Sequence, residues 1–294
     1  MNNIQFNSIS KSLWKEKIQK EFGESGIENK MSVEYDNIKI SPIYHADDNY
    51  KTHNCIFPEK WTNYQFIDAT NITAANKKAL IAIKNNVNGL YFYKPKHLKR
   101  LLKNIPIENI RIDFANYDKD LPKEWKEYSK GKKVNGAFHG FEDLNIPNFY
   151  NTIFSKNENI KEQLSSIIKQ TKNLTQLDNL QFYFEIKSNF FLEIAKIKSF
   201  RILWEAKTGK TPYIFTSTSL ANKERKYPYN NIFRTTTECM SAIFGGANAI
   251  MVKSFDQHLK KESEVAERIA RNQQIILKEE SYLDKVIDPT KGSY

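Results

Sequence analysis

Residues 231–253 read NIFRTTTECMSAIFGGANAIMVK. Over 231–244, Ile232, Phe233, Thr236, Met240, Ile243 and Phe244 fall within about a third of a helical circumference, which predicts a helix with one apolar stripe. Asn230 or Asn231 can cap its start, and Gly245–Gly246 stop it. The run AIMVK (249–253) then has the length and composition of a strand. A helix, a tight glycine turn and a strand in succession make half of a parallel βα unit.

The same alternation extends upstream to Trp61. The expected strands are YQFIDA (64–69), GLYFY (89–93), NIRIDF (109–114), NGAFH (135–139), NFYN (148–151), QFYFEI (181–186), YIFTS (213–217) and AIMVK (249–253). The fourth and fifth are short and joined by a link with no room for a helix. Two more helices are marked. In 189–206, Phe190, Phe191, Ile194 and Ile197 share a face while Glu193 and Lys196 point away. In 262–280, Val265, Ile269 and Ile276 line a face beneath a charged exterior. Eight strands with helical crossovers predict an α/β fold, a (β/α)8 TIM-type barrel. Such barrels need roughly 250 residues, and the chain has 294.

The first sixty residues read differently. Leu13, Trp14, Ile18 and Phe22 recur at helical spacing behind a cap at Ser10 or Ser12. The piece IKISPIY (38–44) alternates at Ile38 and Ile40, and Pro42 limits it to an edge. Residues 1–60 are therefore expected to form an N-terminal arm that packs on the barrel or on another subunit, and 61–294 the barrel.

The apolar fraction of 40% and the aromatic fraction of 13% suffice for a sizeable core. No run of about 18 apolar residues predicts a membrane span. The start MNNIQFNSIS lacks the apolar segment of a secretory signal. Cys55 and Cys239 stand too far apart for a metal motif and read as reduced thiols of a cytoplasmic protein. The net charge of +11 comes mostly from dispersed lysine without a basic run. A basic balance can mean nucleic acid, but dispersed lysine reads more simply as a solvated surface, and an anionic ligand such as coenzyme A or an acidic partner suits the charge equally well, so neither nucleic acid nor a membrane is expected as a partner.

Few residues look chemical. Among His45, His53, His97, His139 and His258, only His258 follows an aspartate at the spacing of Asp-x-His-x-x-Gly, and Lys261 replaces the glycine. A solvated loop is the better reading of Asp256–His258. His139 sits at a probable strand end, where barrel enzymes place reactive groups, but no carboxylate or cysteine lies near it in sequence. Asp68 and Asp113 near strand ends could form an acid–base pair or simply cap the next helix. Gly245–Gly246 follows a helix and so sits at the wrong end for a phosphate cradle. Tyr91, Phe92 and Tyr93 read as barrel filling.

RTTTECMSAIFGGANAIMVKSFD (234–256), ESEVAERIARNQQIILKEES (262–281) and VIDPTKGSY (286–294) resemble the late barrel of methylmalonyl-CoA mutases. SNFFLEIAKIKSFRILWE (188–205) is similar to a helix of that family, and SLWKEKIQKEF (12–22) with DNIKISPIY (36–44) to a subunit arm and its strand. The resemblance implies a barrel that holds acyl-CoA along its axis, followed in complete members by a domain that binds adenosylcobalamin through Asp-x-His-x-x-Gly. No such domain occurs in this sequence, and the turn-rich end DPTKGSY suggests a chain that continues.

The resemblance also implies losses. A catalytic tyrosine in RQYAGF corresponds to Phe66 in YQFIDA. The histidine of Gly-Tyr-His corresponds to Asn151 after Phe149–Tyr150. FTSTSLANKERKYPYNN (215–231) lacks the histidine and glutamine of Thr-His-Ser-Gln-Thr-Ser-Gly. The expectation is a small, non-catalytic subunit with no catalytic, cofactor or metal residues of its own. It would pair with a large catalytic subunit that carries adenosylcobalamin, in a cytoplasmic heterodimer. The alternative is an independent acyl-CoA-binding barrel enzyme using His139 or the strand-end aspartates.

Overall fold

The computed structural model describes residues 8–23, 31–48, 56–140, 146–174, 177–259 and 263–291. His53, Cys55, Lys261 and Tyr294 lie outside the described residues. The chain divides into two compact units, Met1–Asn54 with Gly292–Tyr294, and Cys55–Lys291.

The first unit contains helix α1 (Lys11–Phe22) and a hairpin of β1 (Val33–Tyr35) and β2 (Ile38–Ile40). Ser10 caps α1 by accepting the amide N–H of Leu13. The hairpin turns on Asp36 and Asn37, both at positive φ (55° and 58°). That is the two-residue turn whose twist matches paired strands, and short polar residues adopt it most easily. Strand β2 ends two residues before Pro42, so less of 38–44 is extended than the alternation suggests. No described residue of this unit is buried.

The second unit is a closed barrel of eight parallel strands: β3 (Thr62–Asp68), β4 (Gly89–Tyr93), β5 (Arg111–Ala115), β6 (Asn135–Phe138), β7 (Phe149–Ile153), β8 (Leu180–Ile186), β9 (Tyr213–Thr218) and β10 (Ala249–Met251). They pair in chain order, and β10 closes on β3 with Ala249 opposite Thr62. Helices α2 (Ile72–Lys84), α3 (Leu98–Leu101), α4 (Leu121–Tyr128), α5 (Ile160–Gln170), α6 (Phe190–Thr208), α7 (Asn230–Phe244) and α8 (Glu264–Glu279) surround it. The link between β6 and β7 contains no helix among its described residues.

Strand residues alternate between the barrel axis and the helix layer. Leu90, Phe92, Ile112, Phe114 and Phe149 point outward and pack with Trp125 of α4. Phe182, Phe184 and Ile214 do the same against Phe200 and Trp204 of α6. Burying each such side chain contributes about 1.5–3 kcal/mol. Arg201, fully buried on α6, donates to the carbonyls of Ile56 (3.0 Å) and Gly246 (2.6 Å) and to Oδ1 of Asn248 (3.0 Å). It ties α6 to the turn that precedes β10.

Three helices pack on faces other than those expected. On α6, Ile194 and Ile197 are buried as predicted, but Phe191 is 79% exposed while Glu193 and Lys196 are each 3% exposed. Lys196 donates to the Glu185 carbonyl (2.8 Å) and pairs with Glu193, so the polar side of α6 meets the end of β8. On α7 the buried stripe is Thr235, Glu238, Cys239 and Ala242, and Phe233 faces solvent. On α8 it is Ala266, Ala270, Gln274 and Leu277, with Val265 and Ile276 exposed. Small residues let a helix approach the sheet closely, and here closeness decides the face. Neither Asn230 nor Asn231 caps α7. Asn231 instead accepts the N–H of Glu224 (2.8 Å) and donates to the carbonyls of Glu224 (2.9 Å) and Phe255 (3.0 Å), joining two loops.

Two glycines are required by close approach. A Cβ on Gly89 would stand 2.5 Å from the Tyr64 ring, and one on Gly136 only 1.8 Å from the carbonyl oxygen of Ile112. Gly136→Ala is therefore expected to cost about 3 kcal/mol, at the upper end of overpacking effects. Urea unfolding followed by circular dichroism would measure it, and an unchanged midpoint would contradict the assigned β5–β6 contact.

Candidate functional site

In barrels the chemistry sits on the axis and at the C-terminal strand ends, so the inward residues define the candidate site. At its centre is Asp113 of β5, fully buried. A buried carboxylate must be compensated by hydrogen bonds or a cation. Asp113 accepts the Tyr64 hydroxyl on Oδ1 (2.7 Å), and on Oδ2 the Gln181 amide (2.7 Å) and Nε2–H of His139 (3.0 Å). The carboxylate only accepts, so Nε2 is the protonated nitrogen. Arg111, one inward step toward the N-terminal end of β5, donates to the Tyr64 oxygen (3.0 Å) and to Oε1 of Gln181 (3.1 Å). Arginine, tyrosine, aspartate and glutamine thus form a closed ring of hydrogen bonds joining β3, β5 and β8. The second Gln181 N–H reaches Thr152 (3.2 Å).

Aromatic rings fill the space above and below. The Arg111 guanidinium lies 4.2 Å from the Tyr213 ring centre and 5.2 Å from that of Tyr150. Phe215 meets Tyr64 edge-on at 4.7 Å, and Tyr91 meets His139 likewise at 4.7 Å. Phe66 stacks on Tyr91 at 5.9 Å. At the upper rim Tyr183 bonds to Ser217 (2.6 Å), and Lys253 to Glu185 (2.6 Å). Burial, and then the charge of Asp113, push the Tyr64 phenol far above its ordinary range. Burial, and then Tyr183, do the same to Tyr91. Both stay protonated. For Arg111, burial is the largest influence and works against its charge, but Tyr64, Tyr213 and Asp113 together outweigh it and hold the guanidinium charged.

The arrangement joins some of the sequence candidates and separates others. His139 and Asp113 meet, although each lacks a partner within its own stretch. They lie inward on neighbouring strands, where Asp113 is opposite Ala137 and His139 follows two residues on. Asp68 is not part of this pair. It accepts the amide of Thr70 (2.9 Å) in the turn leading to α2. Phe66 lines the axis, whereas Asn151 shares the outward face of β7 with Phe149 and Ile153. Tyr64, Arg111 and Gln181 were not singled out by sequence. Their signal was the inward phase of three strands that carry polar residues where apolar ones would suffice.

The Asp113–His139 contact has the form of a general base and its orienting carboxylate. The His139 side chain is only 7% exposed, and Tyr91, Tyr183 and Phe215 pack around its ring. No reactant reaches it without displacing them. Asp256 and His258 lie in the loop after β10. Asp256 is buried, and both ring nitrogens of His258 are buried without a hydrogen-bond partner. An axial cobalt ligand must present a ring nitrogen outward, so His258 does not fit that role. Cys239 is buried in α7 against the barrel, and burial pushes its thiol up, leaving it unreactive.

Residues 172–294 match the family model described as methylmalonyl-CoA mutase. Three similar proteins illustrate the match. The methylmalonyl-CoA mutase small subunit of Porphyromonas gingivalis is 43% identical over 125 residues, which cover 39% of this chain and 20% of that protein. The methylmalonyl-CoA mutase of Rhizobium meliloti is 40% identical over 124 residues, covering 39% and 17%. The human mitochondrial enzyme is 41% identical over 125 residues, covering 39% and 17%. The matched stretch is thus a fifth or less of the length of these relatives. The matched stretch begins just after α5 and runs through β8, β9 and β10. Arg111, Asp113 and His139 lie in the half that the family model does not reach.

Removing the central carboxylate is expected to disrupt the whole axis. Asp113→Leu strands Arg111 and the donors of Tyr64 and Gln181, with an expected cost of about 3–5 kcal/mol, typical for breaking a buried charged network. Thermal and urea unfolding would report it. A loss below about 1 kcal/mol would mean that the ring of hydrogen bonds does not hold the strands.

Proposed function

We propose that this chain is the small, non-catalytic subunit of an adenosylcobalamin-dependent methylmalonyl-CoA mutase, which interconverts methylmalonyl-CoA and succinyl-CoA. In this reading it supports a large catalytic subunit in a cytoplasmic heterodimer, and the cofactor resides on the partner. The observation that carries it is the filled axis. A barrel that passes an acyl-CoA along its axis must leave that axis open. Here Tyr64, Arg111, Asp113, Gln181, Tyr213 and Phe215 occupy it and hydrogen-bond or stack on one another. Opening it would break a satisfied polar network as well as apolar contacts, so substrate binding would oppose folding.

Other features agree. Phe66 presents a bare ring to the interior, packed between Tyr91 and Tyr93. Helix α1 leaves Leu13 54% and Phe22 48% exposed, and Phe233 of α7 is 74% exposed. Apolar side chains left uncovered on several elements favour a protein partner. No described helix is long and apolar enough to cross a membrane. The reading of the chain as an independent acyl-CoA enzyme rests on the Asp113–His139 pair, whose burial weighs against it.

Co-expression with a large mutase subunit tests the proposal. The expected result is one co-eluting complex on size exclusion at micromolar concentration. Separate elution would sink it. The double variant Leu13→Asp with Phe22→Asp is expected to weaken the complex by about tenfold or more, as loss of about 1.4 kcal/mol does, without shifting the melting temperature of the isolated chain. Titration of the isolated chain with succinyl-CoA should give no heat. A saturating signal abolished by His139→Ala would favour the independent enzyme instead.

A further inference from the structure

A second feature of the barrel lies at its rim, where Tyr183 caps the filled axis, and is independent of the subunit reading. At the C-terminal rim a cleft of about 330 Å³ opens between the link after β7, the first turn of α5, the end of β8 and the early part of α6. That volume lies at the lower end of small-ligand pockets. Its lining includes the apolar Phe154, Ile160 and Tyr183 ring and the lysines Lys156, Lys187 and Lys196.

Lys196 gives the cleft a built polar group. Its side chain is 3% exposed. An ammonium has three donors. One goes to the Glu185 carbonyl oxygen (2.8 Å) and a second toward the paired Glu193 carboxylate, which leaves one N–H for an acceptor in the cleft. Burial lowers the affinity of Lys196 for its proton, and Glu193 opposes this. A further acceptor would favour the charged form.

The balance of charge indicates the sign of the ligand. Of the three carboxylates at the cleft, Glu193 is paired with Lys196 and Glu185 with Lys253 (2.6 Å). Glu158 is 89% exposed and only loosely paired with Lys187 (3.5 Å). Lys156 makes no ion pair with any described residue. Three lysines and three carboxylates line the cleft, and because Lys253 from outside the lining neutralises Glu185, the lining lysines carry the surplus positive charge. Helices α5 and α6, capped by Asn159 and Asn189, also begin here, and the positive ends of their dipoles point the same way in sign.

We propose that this cleft binds a small carboxylate with a short apolar chain, its carboxylate among Lys156, Lys187 and Lys196 and its chain on Phe154 and Ile160. Because the axis beneath the cleft is filled, such a ligand would act as an effector and not as the substrate of a barrel reaction.

Hexanoate and its uncharged isostere hexanamide test the proposal on the full-length chain by NMR titration or calorimetry. Hexanoate is expected to bind saturably and hexanamide about tenfold more weakly, as the loss of one charge-assisted hydrogen bond implies. The exposed-residue variant Lys156→Gln with Lys187→Gln should weaken hexanoate by about tenfold while leaving the melting temperature unchanged. Equal binding of the two probes, no saturation at tens of millimolar, or undiminished hexanoate affinity in the folded variant would overturn it. None of these results depends on a partner subunit, so they stand apart from the co-elution test.

Discussion

The carboxylate of Asp113 constrains everything around it. A lone ionised carboxylate inside a barrel is prohibitively costly. Its survival there requires three donors from three other strands, delivered by Tyr64, His139 and Gln181. Arg111 supplies the compensating charge through Tyr64 and Gln181 without touching the carboxylate directly in the hydrogen-bond ring. Each of these side chains must be long enough to reach the centre, and together they exclude anything else from it. Gly89 has no side chain because the Tyr64 ring occupies that space. The network fills the axis of a fold that often encloses a reaction.

The helix layer follows a different rule. Apolar strand residues face it all the way round, but α7 and α8 meet them with threonine, cysteine, alanine and glutamine. Larger apolar residues of the same helices turn outward. Gln274 is 1% exposed, and neither of its amide atoms finds a hydrogen-bond partner. A polar seam of this kind is costly, and it lies within the stretch that matches the mutase family. The exposed apolar positions agree with a surface that another protein covers. The filled axis, by contrast, draws on both parts of the chain, with Tyr64, Arg111 and Asp113 outside the matched stretch and Gln181, Tyr213 and Phe215 within it.

Much of the barrel was legible beforehand. Strands such as GLYFY and QFYFEI are short, apolar and bounded, and Gly245–Gly246 end α7 where the pattern requires. The strands in NGAFH and NFYN also formed, although only a short link joins them, because pairing with β5 and β8 supports them from outside. Helix faces were read less well. Periodicity finds the apolar stripe, but it cannot weigh that stripe against a row of small residues that packs closer. The Asp113–His139 contact was hidden because its partners are 26 residues apart in the chain and adjacent only across two strands.

The sequence by itself determined the alternation of strands and helices and the likeness of residues 172–294 to methylmalonyl-CoA mutases. These depend on local spacing and on residue identity, which a chain carries before it folds. Only the tertiary structure decided that the axis is filled, that Asn151 faces outward while Phe66 faces in, and that Lys196 borders a rim cleft. Each of these depends on which way a side chain points once eight strands have closed, and closure fixes the phase of every strand at once.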